Sequence, residues 1–248
     1  MINAGMTGNL FTSTYNLSPI PDLMQNLPMP FHPLPYAGVN YVRTNTTIGG
    51  LSSSPGSGIM NIFSCMIYGI VADNCTVRSV NNEFQNLDEG FGRGIWASDG
   101  SLYVNSCHFK NAGFRCIYAD GANLTARGNH FEGTSETGIL SENNLNAEYV
   151  IIEDNNIFDI STDKWRSGIE IQRSTASTGV HNVIRDNTFN VSDDASLLYC
   201  IEVLGFYGAA TDEMHIEDYL FSGFVRCEWA QCRHSQNFPD TLTFFSNH

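Results

Sequence analysis

Short apolar phrases alternate with polar turn residues along most of the chain, from Cys75 to Phe221. One phrase ends in phenylalanine and recurs every 22 to 32 residues, at Phe84, Phe109, Phe131, Phe158, Phe189 and Phe221. After most copies of this phrase comes a second phrase that contains isoleucine. Its copies are GIWA, CIYA, GILS, GIEI and CIEV. Fixed spacing within the phrases and variable spacing between them predict stacked rungs joined by loops of different lengths.

The spacing within the phrases favours strands over helices. The apolar patches are short, alternate by two residues and are bounded by Asn, Gly, Asp and Ser. Helical repeats of similar length would carry apolar residues at 3.6-residue spacing over ten or more positions. We therefore predict an all-β solenoid of about seven or more rungs, beginning with a looser rung at residue 59.

Strand alternation predicts which residues form the core. With the phenylalanines inward, the residue two positions earlier also points inward, at Asn82, Cys107, Asn129, Asn156, Asn187 and Tyr219. A second inward column holds Ile95, Ile117, Ile139, Ile169 and Ile201. Buried amides need hydrogen-bond partners, so we expect the asparagines to bond to one another from rung to rung and to the turn backbone.

The two ends of the chain differ from this repeat. Residues 1–58 hold seven of the eight prolines, so we expect few long regular elements there and interpret the segment as a cap or lateral loop, with a disordered leader as the alternative. Residues 59–248 form the predicted solenoid. The last phrase, TLTFFSNH, aligns with SLYVNSCH and stops before its phenylalanine. We therefore expect that the chain is part of a longer β-helix, whose remainder would cover the last strand edge.

Composition narrows the possible partners. The net charge of -14 repels nucleic acid and anionic membrane surfaces. The chain contains no run of eighteen apolar residues, so we predict no membrane insertion. Its first residues do not resemble a secretory signal. Seven cysteines without a CxxC pair leave the redox compartment open. We expect Cys116 and Cys200 to be buried thiols, with a short loop closed by Cys227 and Cys232 as an alternative in an exported protein.

The N-x-x-F and G-I-x-A phrases resemble the right-handed parallel β-helix repeats of the pectate-lyase-like superfamily, over about residues 59 to 248. The stretch IFSCMIYGIVADNCTVRSVNNEFQN, after its proline-rich segment, resembles repeat-rich secreted surface proteins of Bacteroidetes-type bacteria. This second resemblance implies an extracellular or cell-surface location and export through a C-terminal sorting domain. The superfamily includes polysaccharide lyases and hydrolases, but their catalytic phrases do not occur in this chain, and the fold alone does not decide function.

Outward positions beside the isoleucine column predict a glycan-binding surface. One column runs through Val71, Trp96, Tyr118, Leu140, Glu170, Glu202 and Glu228, and a second through Asp73, Ser98, Asp120, Glu142, Gln172 and Leu204. Sugars stack on aromatic rings and donate hydroxyl protons to carboxylates. We therefore predict glycan binding by Trp96, Tyr118, Asp120, Glu142, Glu170 and Glu202. The alternative is ordinary packing of these side chains beneath a loop.

Two further groups suggest chemistry. Asp120 and Glu142 occupy neighbouring rungs, and a separation of about 5 Å between carboxylates suits retaining glycoside hydrolysis. Such acidic columns are also commonly solvated, and calcium is the one cofactor that they suggest. Glu83, His108 and His130 occupy one column on three successive rungs and are candidate metal ligands, although the column continues with apolar residues.

These features together favour a non-catalytic structural and binding β-helix segment of an extracellular bacterial surface protein that contacts glycans. The alternative function is a polysaccharide-degrading hydrolase or lyase of phage-tailspike or pectate-lyase-like type, with Asp120 and Glu142 as the catalytic residues. An enzyme requires long loops that wall a groove over these carboxylates, whereas a binding scaffold requires only an accessible face.

Overall fold

The computed structural model describes residues 5–6, 10–12, 37–43, 45–49, 61–88, 90–133, 135–142, 148–154, 156–160, 165–172, 181–191, 197–204, 213–217, 220–222 and 242–244. In chain order the strands are β1 (Gly5–Met6), β2 (Leu10–Thr12), β3 (Ala37–Val42), β4 (Asn45–Ile48), β5 (Asn61–Ser64), β6 (Tyr68–Val80), β7 (Asn82–Gln85), β8 (Arg93–Asn105), β9 (His108–Lys110), β10 (Gly113–Asp120), β11 (Asn123–Arg127), β12 (His130–Glu132), β13 (Ser135–Glu142), β14 (Tyr149–Glu153), β15 (Ile157–Ile160), β16 (Trp165–Gln172), β17 (His181–Arg185), β18 (Thr188–Val191), β19 (Leu197–Leu204), β20 (Glu213–Glu217), β21 (Leu220–Ser222) and β22 (Leu242–Phe244). Within these ranges there is no helix long and apolar enough to cross a bilayer.

The strands stack in parallel on three faces. The phenylalanine face runs in the order β2-β5-β7-β9-β12-β15-β18-β21. The isoleucine face contains β10, β13, β16 and β19, and the third face contains β11, β14, β17, β20 and β22. β6 and β8 each bend through a corner and serve both of these faces, so β8 pairs with β10 at one end and β11 at the other. This succession of parallel strands is a parallel β-helix and confirms the predicted all-β solenoid.

The phenylalanines form a continuous stack inside the helix, as predicted. Their ring centroids are 4.6 to 5.1 Å apart from Phe63 through Phe84, Phe109, Phe131 and Phe158 to Phe189. All six side chains are completely buried. The predicted isoleucine column is likewise buried, and it packs against these rings in one hydrophobic core.

The predicted asparagine ladder is also present. Asn61 donates to Asn82 Oδ1 at 2.8 Å, and Asn156 receives a bond from Asn129 at 2.9 Å and donates to Asn187 at 2.8 Å. Cys107 interrupts the column, but its backbone N–H still donates to Asn129 Oδ1. These amides close the turn before each phenylalanine strand, because they also bond to backbone carbonyl groups of neighbouring rungs. Tyr219 lies outside the described residues.

The third face was not predicted from the sequence. Its inward side chains include Leu102, Leu124 and Val150, which are fully buried. They share one column because β8 pairs with β11 and β11 with β14 in register. Each rung therefore has three strands, whereas two apolar phrases per rung were recognised.

The segment 1–58 contributes more regular structure than its prolines suggest. β2 pairs with β5, while β3 and β4 both pair with β6, so these strands continue the faces of the helix. The proline-rich stretch between Ser18 and Tyr36 lies outside the described residues, and its role as a cap or lateral loop stays a prediction.

The predicted alignment of the last phrase is confirmed in register. Leu242 pairs with Met214, which pairs with Asn182, in the column that also contains Leu102 and Leu124. Asn247 and His248 lie outside the described residues.

The cysteines follow the prediction only in part. Cys116 is a buried free thiol, as expected. Cys200 is disulfide-bonded, so the expectation of a free thiol there is wrong. Cys227 and Cys232 lie outside the described residues.

Candidate functional site

The two outward columns of the isoleucine face lie in the predicted register. The outer column places Val71 beside Trp96, Trp96 beside Tyr118, Tyr118 beside Leu140, Leu140 beside Glu170, and Glu170 beside Glu202. The rim column, two residues further along each strand, pairs Asp73 with Ser98, Ser98 with Asp120, and Asp120 with Glu142. Glu228 lies outside the described residues. The structure thus assembles the predicted columns on one face.

The outer column is buried, which corrects the expectation of an open ladder. Tyr118 is 7% exposed, Leu140 is 0%, Glu170 is 2% and Glu202 is 4% exposed. Only Trp96 among the predicted binding residues of this column is half-buried. Alternation along a strand distinguishes inward from outward positions, but it does not show which outward positions other side chains cover.

Arginine side chains lie over the aromatic rings of the outer column and contribute to its burial. The Trp96 and Tyr118 rings are nearly parallel, with centroids 6.3 Å apart. The Arg93 guanidinium lies 5.6 Å from the Trp96 centroid and 5.1 Å from the Tyr118 centroid, and Arg115 lies 4.7 Å from that of Tyr118. Arg93 also donates to the Tyr68 hydroxyl at 2.8 Å. The arginines therefore cover part of the ring faces, which reduces the area on which a ligand could stack.

The Tyr118 hydroxyl donates a hydrogen bond to Glu142 Oε1. Burial, followed by this bond and the charge of Glu142, raises the pKa of the Tyr118 phenol far above its ordinary value. The phenol consequently stays protonated at neutral pH and remains a donor. One oxygen of the Glu142 carboxylate is thus already engaged by the neighbouring rung.

A buried ion group lies at the far end of the outer column. Glu170 and Glu202 are register neighbours, and Nη2 of Arg166 lies 3.7 Å from Glu170 Oε1 and 3.2 Å from Glu202 Oε2. Ser167 donates to Glu170 Oε2 at 3.1 Å. Burial opposes the charge on Arg166, but Glu170 and Glu202 outweigh it and raise the pKa of the guanidinium. These contacts give both glutamates a structural role, because two stacked carboxylates need a cation between them.

The rim column is the accessible part of this face. Ser98, Asp120, Glu142 and Gln172 are all half-buried. Because Asp120 and Glu142 are paired on neighbouring parallel strands, their backbones are separated by about 4.8 Å. Within the described residues, no group of three carboxylates converges as a calcium site would require, and calcium binding on the acidic columns stays a prediction.

A second polar group lies on the phenylalanine face. His108 and His130 are register neighbours with nearly parallel rings whose centroids are 4.9 Å apart. Glu83 pairs with His108 on the preceding strand, as predicted. The carboxylate that converges with the two rings is nevertheless Glu132, since ligand atoms of His108, His130 and Glu132 all lie within 4.8 Å of one another.

Glu132 was missed because the candidate ligands were taken from a single column. Glu132 follows His130 by two residues, so both side chains lie on the same outward side of β12. If the outward positions of neighbouring columns had been considered together, Glu132 would have been identified as a candidate ligand.

Comparison with known proteins agrees with the architecture. Residues 56–208 match the family described as a right handed beta helix region. No curated protein matches the chain significantly. No solved structure matches it significantly either.

Proposed function

Because the chain belongs to the family of right-handed β-helix proteins, we propose that it is a non-catalytic structural and binding segment of an extracellular bacterial surface protein. Its partner on this proposal is a polysaccharide or surface glycan, bound along the rim column. The observation that carries the proposal is the row of half-buried hydrogen-bonding side chains at Ser98, Asp120, Glu142 and Gln172.

Sugar hydroxyl groups would bind this row chiefly through hydrogen bonds. Carboxylates accept hydroxyl protons in charge-assisted hydrogen bonds, which are stronger than neutral ones. Register pairing repeats such groups at about 4.8 Å from rung to rung, which favours an extended chain over a compact ligand. Stacking would contribute less than the sequence suggested, because Arg93 and Arg115 lie over the rings.

The hydrogen bonds and ion pairs that the carboxylates already make support a non-catalytic role. Glu142 accepts from Tyr118, and Glu170 and Glu202 neutralise Arg166. These contacts hold the acidic side chains as parts of the scaffold. The disulfide at Cys200 supports an extracellular location, since disulfides persist mainly in oxidising compartments.

A glycan array followed by calorimetry on any bound glycan tests the proposal. We expect Asp120→Asn and Glu142→Gln each to weaken binding about tenfold, the loss expected when one charge-assisted hydrogen bond of about 1.5 kcal/mol is removed. Glu83→Gln, on the phenylalanine face, is the matched control and should leave the affinity unchanged. Equal affinities for wild type and both rim variants would contradict glycan binding at this site.

The register pairing of Asp120 with Glu142 favours one alternative function, a polysaccharide-degrading hydrolase or lyase. Retaining glycoside hydrolysis needs two carboxyl groups about 5 to 5.5 Å apart, one as general acid and the other as nucleophile. Product analysis on any bound glycan separates the two functions. Shortened chains with wild type that disappear with Asp120→Asn and Glu142→Gln would establish the enzyme, whereas binding without products supports the scaffold.

A further inference from the structure

The cluster of His108, His130 and Glu132 lies on the phenylalanine face, away from the proposed glycan row. We propose that these three side chains bind a borderline divalent transition-metal ion, with zinc as the expected ion. The site bridges β9 and β12, so the metal would tie two successive rungs together. This inference does not depend on the proposed glycan binding.

The contact between His108 and Glu132 is the first argument. His108 Nε2 lies 3.2 Å from Glu132 Oε1. That nitrogen is buried, and in the described part of the chain it makes no hydrogen bond. In the tautomer that carries its proton on Nδ1, His108 Nε2 and Glu132 Oε1 are both acceptors, and together they can bind a cation.

The second argument is the support of the His130 ring. His130 Nε2 lies 2.5 Å from Asp159 Oδ2, and Asp159 Oδ1 accepts a hydrogen bond from Asn190 at 2.7 Å. Metal-bound histidines commonly use their second nitrogen in this way, because a carboxylate partner orients the ring and increases its basicity. Asn190 in turn holds the carboxylate in place.

Charge and ligand type indicate the class of ion. Glu132 and Asp159 contact the two rings, and Lys110, 3.3 Å from Glu132, is the single lysine in contact with these carboxylates among the described residues. Imidazole nitrogens with one carboxylate suit zinc and related transition metals, whereas calcium and magnesium require oxygen ligands. Three protein ligands leave the fourth tetrahedral position to water.

The ligand atoms need only a small adjustment. They lie within 4.8 Å of one another, whereas ligands at about 2.0 to 2.1 Å from a tetrahedral zinc ion are separated by roughly 3.4 Å. All three side chains are partly exposed, so rotation about their side-chain bonds can bring them closer. The Lys110 side chain is half exposed and can leave Glu132 when a metal binds.

Calorimetric titration of the metal-free chain with zinc is the principal test. We expect one zinc ion per chain, with His108→Asn, His130→Asn and Glu132→Gln each weakening binding by more than about tenfold. Asp159→Asn should weaken it by about 10- to 100-fold, as expected for an outer partner. Lys110→Gln should strengthen binding, because it removes the competing cation. Glu83→Gln is the matched control and should leave the affinity unchanged.

Two further measurements keep the test independent of the variants. Cobalt titration of the wild type reports the ligand type, because cysteine binding gives a thiolate charge-transfer band and histidine binding does not. In NMR spectra, paramagnetic cobalt should broaden the His108 and His130 signals first and leave His181 sharp.

Several outcomes would overturn the site. These are the absence of zinc binding, affinities unchanged by all three ligand variants, loss of binding in Glu83→Gln but not in Glu132→Gln, and a thiolate band as the main cobalt signal. Selective broadening of His108 and His130 together with the expected variant losses would establish it.

Discussion

Gly94 has no room for a side chain because the ring of Phe109, on the next strand of the phenylalanine face, lies directly against it. A Cβ placed on Gly94 would lie 2.6 Å from Phe109 Cε1 and 2.5 Å from the carbonyl oxygen of Cys116. Gly69, Gly138 and Gly168 have the same relationship to Phe84, Phe158 and Phe189. At these four rungs the glycine that begins the isoleucine phrase therefore gives room to the phenylalanine that follows it along the chain, whereas Cys116 and Cys200 hold the same position on other rungs.

We predict that Gly94→Ala lowers the free energy of unfolding by about 1 to 3 kcal/mol, because the added methyl group overpacks the core. Gly90→Ala is the matched control, since a Cβ there would meet only Asp88 Oδ1 at 3.6 Å. Its effect should stay within about 0.5 kcal/mol. Urea denaturation of the three proteins measures the difference, and equal midpoints would contradict the packing described for Gly94.

The asparagine ladder predicts a larger effect for Asn156. Its amide donates to Ala126 O, Glu153 O and Asn187 Oδ1, so Asn156→Ala would leave several buried groups without partners. Each such group costs about 1 to 3 kcal/mol, and we expect a total loss of at least about 2 kcal/mol. Asn190→Ala removes one partly buried side-chain bond to Asp159 and should cost less than about 1 kcal/mol. Comparable losses in both variants would contradict a structural ladder.

Removing the cation between Glu170 and Glu202 should destabilise the far end of the outer column. We predict that Arg166→Gln costs about 2 kcal/mol at pH 7, less than for a fully buried pair because the arginine is partly exposed. Arg78→Gln, which removes a contact with the Tyr103 ring, is the control and should cost less than about 1 kcal/mol. Urea denaturation of the three proteins measures the difference, and equal midpoints for wild type and Arg166→Gln would contradict the electrostatic explanation.

The buried thiols predict a loss of stability at alkaline pH. Burial raises the pKa of Cys116 from 9.0 to about 12 and that of Cys107 from 9.0 to about 11. Between these values the unfolded chain loses a proton that the folded chain keeps, so stability is intact below about pH 9 and falls as the pH rises above it. One such group contributes about 1.4 kcal/mol per pH unit.

Cys116→Ala should therefore reduce the slope of unfolding free energy against pH between about 9 and 12. Cys65→Ala changes a half-buried thiol and is the control. In the native protein at pH 8, Cys65 should react with a thiol reagent before Cys107 and Cys116 do. Rapid labelling of Cys116, or an unchanged slope in Cys116→Ala, would contradict this prediction.

Local periodicity was sufficient for the strands whose inward side chains are large and regular. The phenylalanine and isoleucine columns were predicted residue by residue, because alternation by two assigns each position to a side of the strand. The third face was missed, since Leu102, Leu124 and Val150 recur without a constant phrase around them. Cys200 also could not be assigned, because disulfide pairing depends on distances between residues far apart in the chain.

The sequence by itself determined the solenoid, its register and the composition of each column, because these follow from side-chain volume, alternation and the hydrogen bonding of asparagine. Only the tertiary structure decided which outward side chains are accessible and which converge. Arg93 and Arg115 lie over Trp96 and Tyr118, and Arg166 forms ion pairs with Glu170 and Glu202, through contacts that a linear pattern does not encode. For the same reason His108 and His130 meet Glu132, which belongs to another column, rather than Glu83.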